Sequence, residues 1–218
     1  AASDVYKRQI MCNSVKKLIS SQQAQFVQKG ILSIGDKLPD FSKKAVITTE
    51  NGMEITDINQ SHASQQGKWT VLFWWPKDFT FVCPTEIIEF DNSNAAFAER
   101  NAVVIGASTD SEFVHLGWRQ NHPDLANLTI PMLADTSKSL AEDMGILDFN
   151  EKVAYRATFI IDPKGIIQWV SVYPMSVGRN VDEVLRVLDA LQTEELTGCG
   201  WTPGQKTVTA KLKEANAK

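Results

Sequence analysis

Two short apolar runs constrain the fold of this chain more than any other feature of its sequence. Residues 69–75 read Trp-Thr-Val-Leu-Phe-Trp-Trp, and residues 102–107 read Ala-Val-Val-Ile-Gly-Ala. Runs of this length and apolarity are typical of buried strands. Between them, residues 84–99 carry apolar side chains at helical spacing. Alternation of strand and helix favours an α/β domain with helices packed on a sheet.

The flanking segments extend this pattern to a mixed sheet. Asn51-Gly52 lies between two strand-like segments and predicts an N-terminal β-hairpin. Apolar residues at i, i+3, i+4 and i+7 predict a helix that begins after Asn180. Further helices are predicted at residues 110–120 and 137–144, and further strands at residues 156–161 and 166–172. We therefore predict an α/β domain at residues 34–196, in which helices flank a central mixed β-sheet. The glycine-rich residues 197–218 are predicted to form an irregular C-terminal arm.

Composition excludes several classes of protein. A formal net charge of −4 and a pI of about 5.4 give no basic field for nucleic acid. No stretch approaches the roughly 20 apolar residues that a membrane helix requires. Three cysteines in 218 residues are too few for a disulfide scaffold. No secretory signal is visible after Met11, so we expect a reducing, cytoplasmic location.

The first residues of the chain suggest a non-native origin. Residues 1–9 back-translate to the end of a common transposase sequencing adapter. We interpret residues 1–10 as adapter-derived, with translation beginning at Met11; a polar N-terminal tail is the alternative. Cys12 follows directly and has no assignable role.

Cys83 is the candidate nucleophile. Pro84 suits the first turn of a helix, which places Cys83 at a helix N-terminus, where unpaired N–H groups and the helix dipole favour a thiolate. An inert buried cysteine is the alternative. Position 86 is a glutamate, so no Cys-x-x-Cys dithiol is present. Cys199 is the remaining redox partner to consider, although a surface thiol would also fit its position in the arm.

Residues 73–86, Phe-Trp-Trp-Pro-Lys-Asp-Phe-Thr-Phe-Val-Cys-Pro-Thr-Glu, resemble the active-site loop of a known family. The resemblance is to the typical two-cysteine peroxiredoxins of the alkyl hydroperoxide reductase C group. Their motif Pro-x-x-x-Thr-x-x-Cys is met by Pro76, Thr80 and Cys83. Residues 34–41, His115-x-x-Trp118, residues 156–162 and residues 177–183 match further family segments in the same order. The resemblance implies a thioredoxin-like fold and a thiol peroxidase.

The resemblance also implies roles for individual residues. Cys83 would be the peroxidatic cysteine, which attacks a peroxide and becomes a sulfenic acid. Arg156 would supply a cation beside Cys83 and a donor to the peroxide. Thr80 would offer its hydroxyl to the thiolate and the peroxide, and Pro76 would exclude water. Glu86 would either orient Arg156 or remain an exposed glutamate at the start of a helix.

Cys199 would be the resolving cysteine, which forms a disulfide with Cys83 of the partner subunit. Here the sequence departs from the family, because Gly198-Cys199-Gly200-Trp201 replaces the usual Val-Cys-Pro-x-x-Trp. The family implies a homodimer, often in a decameric ring of dimers. The reductant would be thioredoxin, a flavoprotein disulfide reductase or another dithiol reductase. No cofactor is expected, and the scattered histidines do not predict a metal site.

Alternatives to a peroxidase remain at this point. A thiol–disulfide oxidoreductase would need the second active-site cysteine that this chain lacks, whereas a holdase chaperone is an activity that some family members add. The family's oxidation-sensitive members carry a Gly-Gly-Leu-Gly insertion and a C-terminal Tyr-Phe pair. Residues 122–132 hold no such insertion, and residues 211–218 hold no such pair. We therefore expect resistance to overoxidation of Cys83.

Overall fold

The computed structural model describes residues 30–60 and 67–217. The predicted adapter-derived segment, residues 1–10, and Cys12 lie outside these residues. The strands of the described part are β1 (Ser42–Thr49), β2 (Gly52–Asn59), β3 (Trp69–Trp74), β4 (Ala102–Ser108), β5 (Met132–Ala134), β6 (Arg156–Ile161) and β7 (Ile167–Tyr173). Its helices are α1 (Cys83–Asn92), α2 (Asn94–Glu99), α3 (Glu112–Asn121), a 3-10 turn (Pro123–Leu125), α4 (Ser139–Asp143), α5 (Val181–Gln192) and α6 (Val208–Asn216).

The described strands form one mixed sheet in the order β2-β1-β5-β4-β3-β6-β7. Strands β3, β4 and β5 run parallel to one another, whereas β6 and β7 add antiparallel neighbours beside β3. The β1–β2 hairpin joins the other side through antiparallel pairing of β1 with β5. The predicted mixed sheet and N-terminal hairpin are confirmed. The two apolar runs become the central strands β3 and β4, which are covered on both faces.

Alternation along β3 sends side chains to two separate cores. Leu72 and Trp74 pack in one core, whereas Val71, Phe73 and Trp75 pack in the other together with Cys83. Gly106 of β4 lies opposite Phe73 in the register. A Cβ atom at Gly106 would lie 2.8 Å from the Trp75 ring and 2.9 Å from the Phe73 ring. Glycine at this position therefore makes room for the aromatic side chains of the core that contains the cysteine.

Three parts of the fold differ from the sequence prediction. The helix predicted at residues 84–99 is divided at Ser93 into α1 and α2. Strand β5 was not predicted, because its three residues are too few to show a period. The prediction that residues 197–218 are irregular was wrong for the last part of the arm, where α6 forms. Thr207 caps this helix by accepting a hydrogen bond from Ala210 N, and helix-favouring residues follow it without glycine or proline.

None of the helices in the described part of the chain is both long and apolar enough to cross a membrane.

Candidate active site

Cys83 is the first residue of α1 and lies entirely inside the protein. Its residue surface is 0% exposed, and it packs with Ile87 and Phe90 of the same helix. Pro84 occupies the first turn, and the preceding Val82 provides no side-chain cap. The amide groups at this helix start carry the positive end of the helix dipole, which favours an anion close by. The sequence-predicted helix N-terminus is therefore present in the structure.

Arg156 places its guanidinium against the sulfur atom. It begins β6, the strand that pairs with β3, and its Nη1 donates to Cys83 Sγ at 3.4 Å. Its Nε donates to the carbonyl of Met175 at 2.7 Å, which fixes the plane of the guanidinium. The side chain is buried. A buried cation in contact with Sγ stabilises a thiolate relative to a thiol.

Glu86 lies one turn beyond Cys83 on α1 and is buried rather than exposed. Its Oε2 accepts a hydrogen bond from Arg156 Nη1 at 2.6 Å, the same nitrogen that contacts the sulfur. The structure thus places Glu86 where the orienting role predicted from the sequence requires it. An ionised carboxylate here also provides the counter-charge that a buried arginine needs.

Arg179 is a second buried guanidinium that the sequence analysis did not single out. It donates to Glu86 from its backbone N at 3.0 Å, from Nε at 2.8 Å and from Nη2 at 3.0 Å. Its guanidinium also lies 5.4 Å and 5.6 Å from the ring centroids of Phe73 and Phe90. Burial lowers the pKa of Arg179, and Glu86 opposes this shift. Its position in the family-like segment 177–183, directly before the N-cap Asn180, was the available signal.

The formal charges of the buried side chains around Cys83 do not balance one another. Arg156 and Arg179 bring two positive charges, and Glu86 brings one negative charge. One positive charge remains in a buried environment in which water cannot screen it. A thiolate at Cys83 completes the neutralisation. The cluster can therefore hold a nucleophilic sulfur with a hydrogen-bond donor directly beside it.

The loop that leads from β3 to Cys83 carries the other two motif residues. Pro76 is buried, and Thr80 is half-buried. The Thr80 hydroxyl donates to the Lys77 carbonyl at 2.9 Å, so its single hydrogen is not directed to the sulfur in this arrangement. Phe79 has a φ of 55°, which is unusual for an aromatic residue, and its ring lies 5.7 Å from that of Trp118.

A buried polar network anchors this loop to the sheet. Asp78 accepts a hydrogen bond from Trp75 Nε1 at 2.7 Å, and its other oxygen lies 2.6 Å from His115 Nδ1. The backbone N of Asp78 donates to Asp110 at 2.9 Å. Burial raises the pKa of Asp110, and the nearby charge of Asp78 adds to the shift. For His115 the sequence predicts no role beyond the family match, because its partner Asp78 lies on another element.

Cys199 lies on the C-terminal arm and is exposed. Cys83 and Cys199 of this chain are both free thiols. Within the described residues, no cluster of three or more His, Cys, Asp or Glu side chains is placed to hold a metal ion. The structure therefore brings Arg156 into direct contact with both Cys83 and Glu86. It places Pro76 and Thr80 on the preceding loop and leaves Cys199 accessible at the surface.

Comparisons with known proteins identify the family of this chain. The family model described as the AhpC/TSA family matches residues 34–170. Alkyl hydroperoxide reductase C of Mycolicibacterium smegmatis is 46% identical over 190 residues, which cover 83% of this chain and 95% of the relative. The solved structure of Mycobacterium tuberculosis AhpC is 47% identical with a TM-score of 0.71, covering 78% of this chain and 99% of that chain. A reduced 2-Cys peroxiredoxin from Plasmodium vivax is 33% identical with a TM-score of 0.75, covering 81% and 92%. These matches show that the chain belongs to the AhpC/TSA family, as a peroxiredoxin of the alkyl hydroperoxide reductase C group.

Proposed function

We propose that this peroxiredoxin, a thiol-dependent peroxidase, reduces hydrogen peroxide and organic hydroperoxides to water and alcohols through Cys83. The contact of 3.4 Å between Arg156 Nη1 and Cys83 Sγ is the observation that carries the proposal. It places a fixed cation beside the sulfur, which favours a nucleophilic thiolate. Two of the relatives, an alkyl hydroperoxide reductase C and a 2-Cys peroxiredoxin, support the same activity.

In the first step, the Cys83 thiolate attacks one oxygen of the peroxide. The S–O bond forms as the O–O bond breaks, and the second oxygen takes a proton and leaves as water or an alcohol. Arg156 donates to the oxygen on which negative charge develops. The Thr80 hydroxyl turns from Lys77 towards the sulfur and the incoming oxygen, and Pro76 keeps water from the reacting atoms. Cys83 is left as a sulfenic acid.

In the second step, Cys199 of a second copy resolves the sulfenic acid. Its thiolate attacks Cys83 Sγ, an S–S bond forms, and the hydroxyl leaves with a proton as water. Since Cys83 is 0% exposed, the first turn of α1 must open before another chain can reach the sulfur. The Cys199 thiol is exposed, which suits a group that reacts across subunits.

The cycle closes when a dithiol protein reduces the intersubunit disulfide. Thioredoxin, a flavoprotein disulfide reductase or another dithiol reductase would serve, and side chains alone carry the chemistry, without a cofactor. The assembly we propose is a homodimer that builds a decameric ring of dimers, in the cytoplasm, where reductants of this kind maintain thiols. The name of one structural relative, a 2-Cys peroxiredoxin, supports a cycle with two cysteines.

A non-reducing gel after one equivalent of hydroperoxide tests the cycle. The unsubstituted chain is expected to form a disulfide-linked dimer and to consume peroxide with a dithiol reductant. Cys83→Ser and Cys199→Ser should both lose the dimer, whereas only Cys83→Ser should abolish the first consumption of peroxide. Cys12→Ser is the matched control and should behave like the unsubstituted chain. A dimer that persists in Cys199→Ser but disappears in Cys12→Ser would overturn the assignment of Cys199.

A further inference from the structure

The arm that carries Cys199 is held on α5 by one guanidinium. Arg186 donates from Nη1 to the carbonyl of Trp201 at 3.0 Å, and this tryptophan is buried two residues after the cysteine. The turn is closed by a hydrogen bond from Trp201 N to Gly198 O at 3.1 Å, with Gly200 at a φ of 66°. The position of Cys199 on the arm thus depends on a contact from α5.

The guanidinium of Arg186 is itself fixed in direction. Its Nε and Nη2 donate to the two carboxylate oxygens of Glu183 at 2.6 Å and 2.7 Å. Two of the three guanidinium nitrogens are therefore bonded to Glu183, and the third, Nη1, donates to the arm. A planar guanidinium held by two hydrogen bonds keeps a fixed orientation, whereas a flexible lysine side chain does not.

Arg186 and Cys199 line the same surface hollow, of about 510 Å³. Among the described residues that line it, Arg186 is the only cation, and the ionisable neighbours are the carboxylates of Glu194 and Glu195. Glu195 accepts a hydrogen bond from the Thr207 hydroxyl and forms an ion pair with Lys213. The pKa of Arg186 is raised, mainly by the hydrogen bond to Glu183.

We propose that Arg186 is a positioning residue for the resolving step: it holds the turn that presents Cys199 and keeps a cation in the hollow that both residues line. The proposal rests on the proposed function, in which the Cys199 thiolate attacks the Cys83 sulfenic acid, an S–S bond replaces the S–O bond, and water leaves. Arg186 touches neither peroxide nor Cys83, so it affects the second step and leaves the first unchanged.

Rapid-mixing kinetics with hydrogen peroxide separate the two steps. In Arg186→Gln, the rate constant for reaction of Cys83 with peroxide should stay unchanged, whereas disulfide formation should slow by about tenfold, which corresponds to about 1.4 kcal/mol. The loss should be confined to this slow phase, because Arg186 acts on the arm and not on the surroundings of Cys83. Arg186→Lys should not restore the rate, because lysine keeps the charge but cannot contact Glu183 and the Trp201 carbonyl in the same way. Equal slowing of both phases would indicate a general loss of structure, which would overturn the proposal.

Arg100→Gln is the matched control. Arg100 donates from Nε and Nη2 to the carboxylate of Asp189 on α5, at 2.7 Å and 3.0 Å, but it does not line the hollow. This variant should resolve Cys83 at the unsubstituted rate. If the unsubstituted chain forms no peroxide-dependent disulfide between Cys83 and Cys199, the proposed function fails and this inference fails with it. If the disulfide forms and Arg186→Gln resolves as fast as Arg100→Gln, only the inference about Arg186 is overturned.

Discussion

The carboxylate of Glu86 accepts three hydrogen bonds from Arg179, which come from the backbone amide, Nε and Nη2 at 2.8–3.0 Å. The same carboxylate receives the Arg156 nitrogen that contacts Cys83. Glu86 therefore links the segment before α5 to the start of β6 and to the first turn of α1. The contact of Arg156 with the sulfur therefore depends on the Glu86 carboxylate, which acts through Arg156.

Removal of this charge should destabilise the protein. In Glu86→Gln the shape of the side chain is kept, but two buried guanidiniums lose their counter-ion. Breaking a buried ion pair by removing one partner costs about 3–5 kcal/mol, and we expect a loss at the lower end because the amide can still accept hydrogen bonds. Urea unfolding of the reduced protein measures it. Glu89→Gln, which alters an exposed glutamate of α1, is the control and should change little. Equal midpoints for the two variants would contradict this account.

The two arginines of the site should differ in their effect on catalysis. Arg156→Lys cannot contact the sulfur, Glu86 and the Met175 carbonyl together. We expect the second-order rate constant for peroxide to fall about 100-fold or more, as for the loss of a donor that stabilises developing charge. Arg179→Lys should cost less, because Arg179 acts through Glu86. Stopped-flow measurement of both variants gives the order. A larger loss in Arg179→Lys would show that the fork on Glu86 matters more than the contact with sulfur.

The sequence was most informative where a residue type and its chain neighbours decide the outcome. The central strands β3 and β4 followed from apolar runs, and Cys83 at a helix start followed from Pro84. Arg179 and the pair of Asp78 with His115 were missed as parts of the site, because their partners are distant along the chain and a single sequence shows no contact between elements. Helix α6 was missed because the prediction for the arm rested on Gly198, Gly200 and Gly204, all of which precede the helix.

The role of the Thr80 hydroxyl in catalysis can be tested with one pair of variants. Its hydroxyl now donates to the Lys77 carbonyl and would have to turn for catalysis. Thr80→Val keeps the branched shape and removes the hydroxyl, so reaction with peroxide should slow about tenfold or more, whereas Thr80→Ser should keep most of the activity. Thr85→Val is the matched control, since the Thr85 hydroxyl donates to the Val82 carbonyl at 2.7 Å on the exposed side of α1. A loss in Thr85→Val equal to that in Thr80→Val would show that both changes act only on the helix start.

Asp110 should make the stability of the protein fall as the pH rises. Its pKa in the folded state lies above the ordinary value of 3.8, mainly because of burial. Between these two values the folded protein binds more protons than the unfolded chain, so the free energy of unfolding decreases with rising pH. The contribution is fully present below pH 3.8 and is lost as the pH passes the raised pKa. Asp110→Asn removes this group, so the variant should gain stability relative to the unsubstituted chain across that window. Urea unfolding at a series of pH values measures the difference, and a difference independent of pH would contradict the assignment.

Gly106 provides a structural test of the core that surrounds Cys83. Gly106→Ala adds a Cβ atom 2.8–2.9 Å from the rings of Trp75 and Phe73, closer than real contacts allow. Overpacking of this kind costs about 1–3 kcal/mol, and thermal unfolding measures it. Gly117→Ala, at a helical glycine with open space around its Cβ position, is the control and should not destabilise the protein.

Overoxidation of Cys83 depends on a competition between a second peroxide and the partner's Cys199. A sulfenic acid that remains at the start of the folded α1 can react with a second peroxide. If the first turn of α1 opens quickly, Cys199 reacts with the sulfenic acid first. Residues 122–132 hold no Gly-Gly-Leu-Gly insertion. They include the short 3-10 turn at Pro123–Leu125, whose Leu125 carbonyl accepts a hydrogen bond from the buried Arg119 at 3.2 Å. We therefore expect mass spectrometry to show mostly the disulfide after excess hydrogen peroxide. Cys199→Ser, in which resolution is blocked, should accumulate sulfinic acid at Cys83 under the same conditions. Equal sulfinylation of the unsubstituted chain and of Cys199→Ser would show that resolution is not the faster branch.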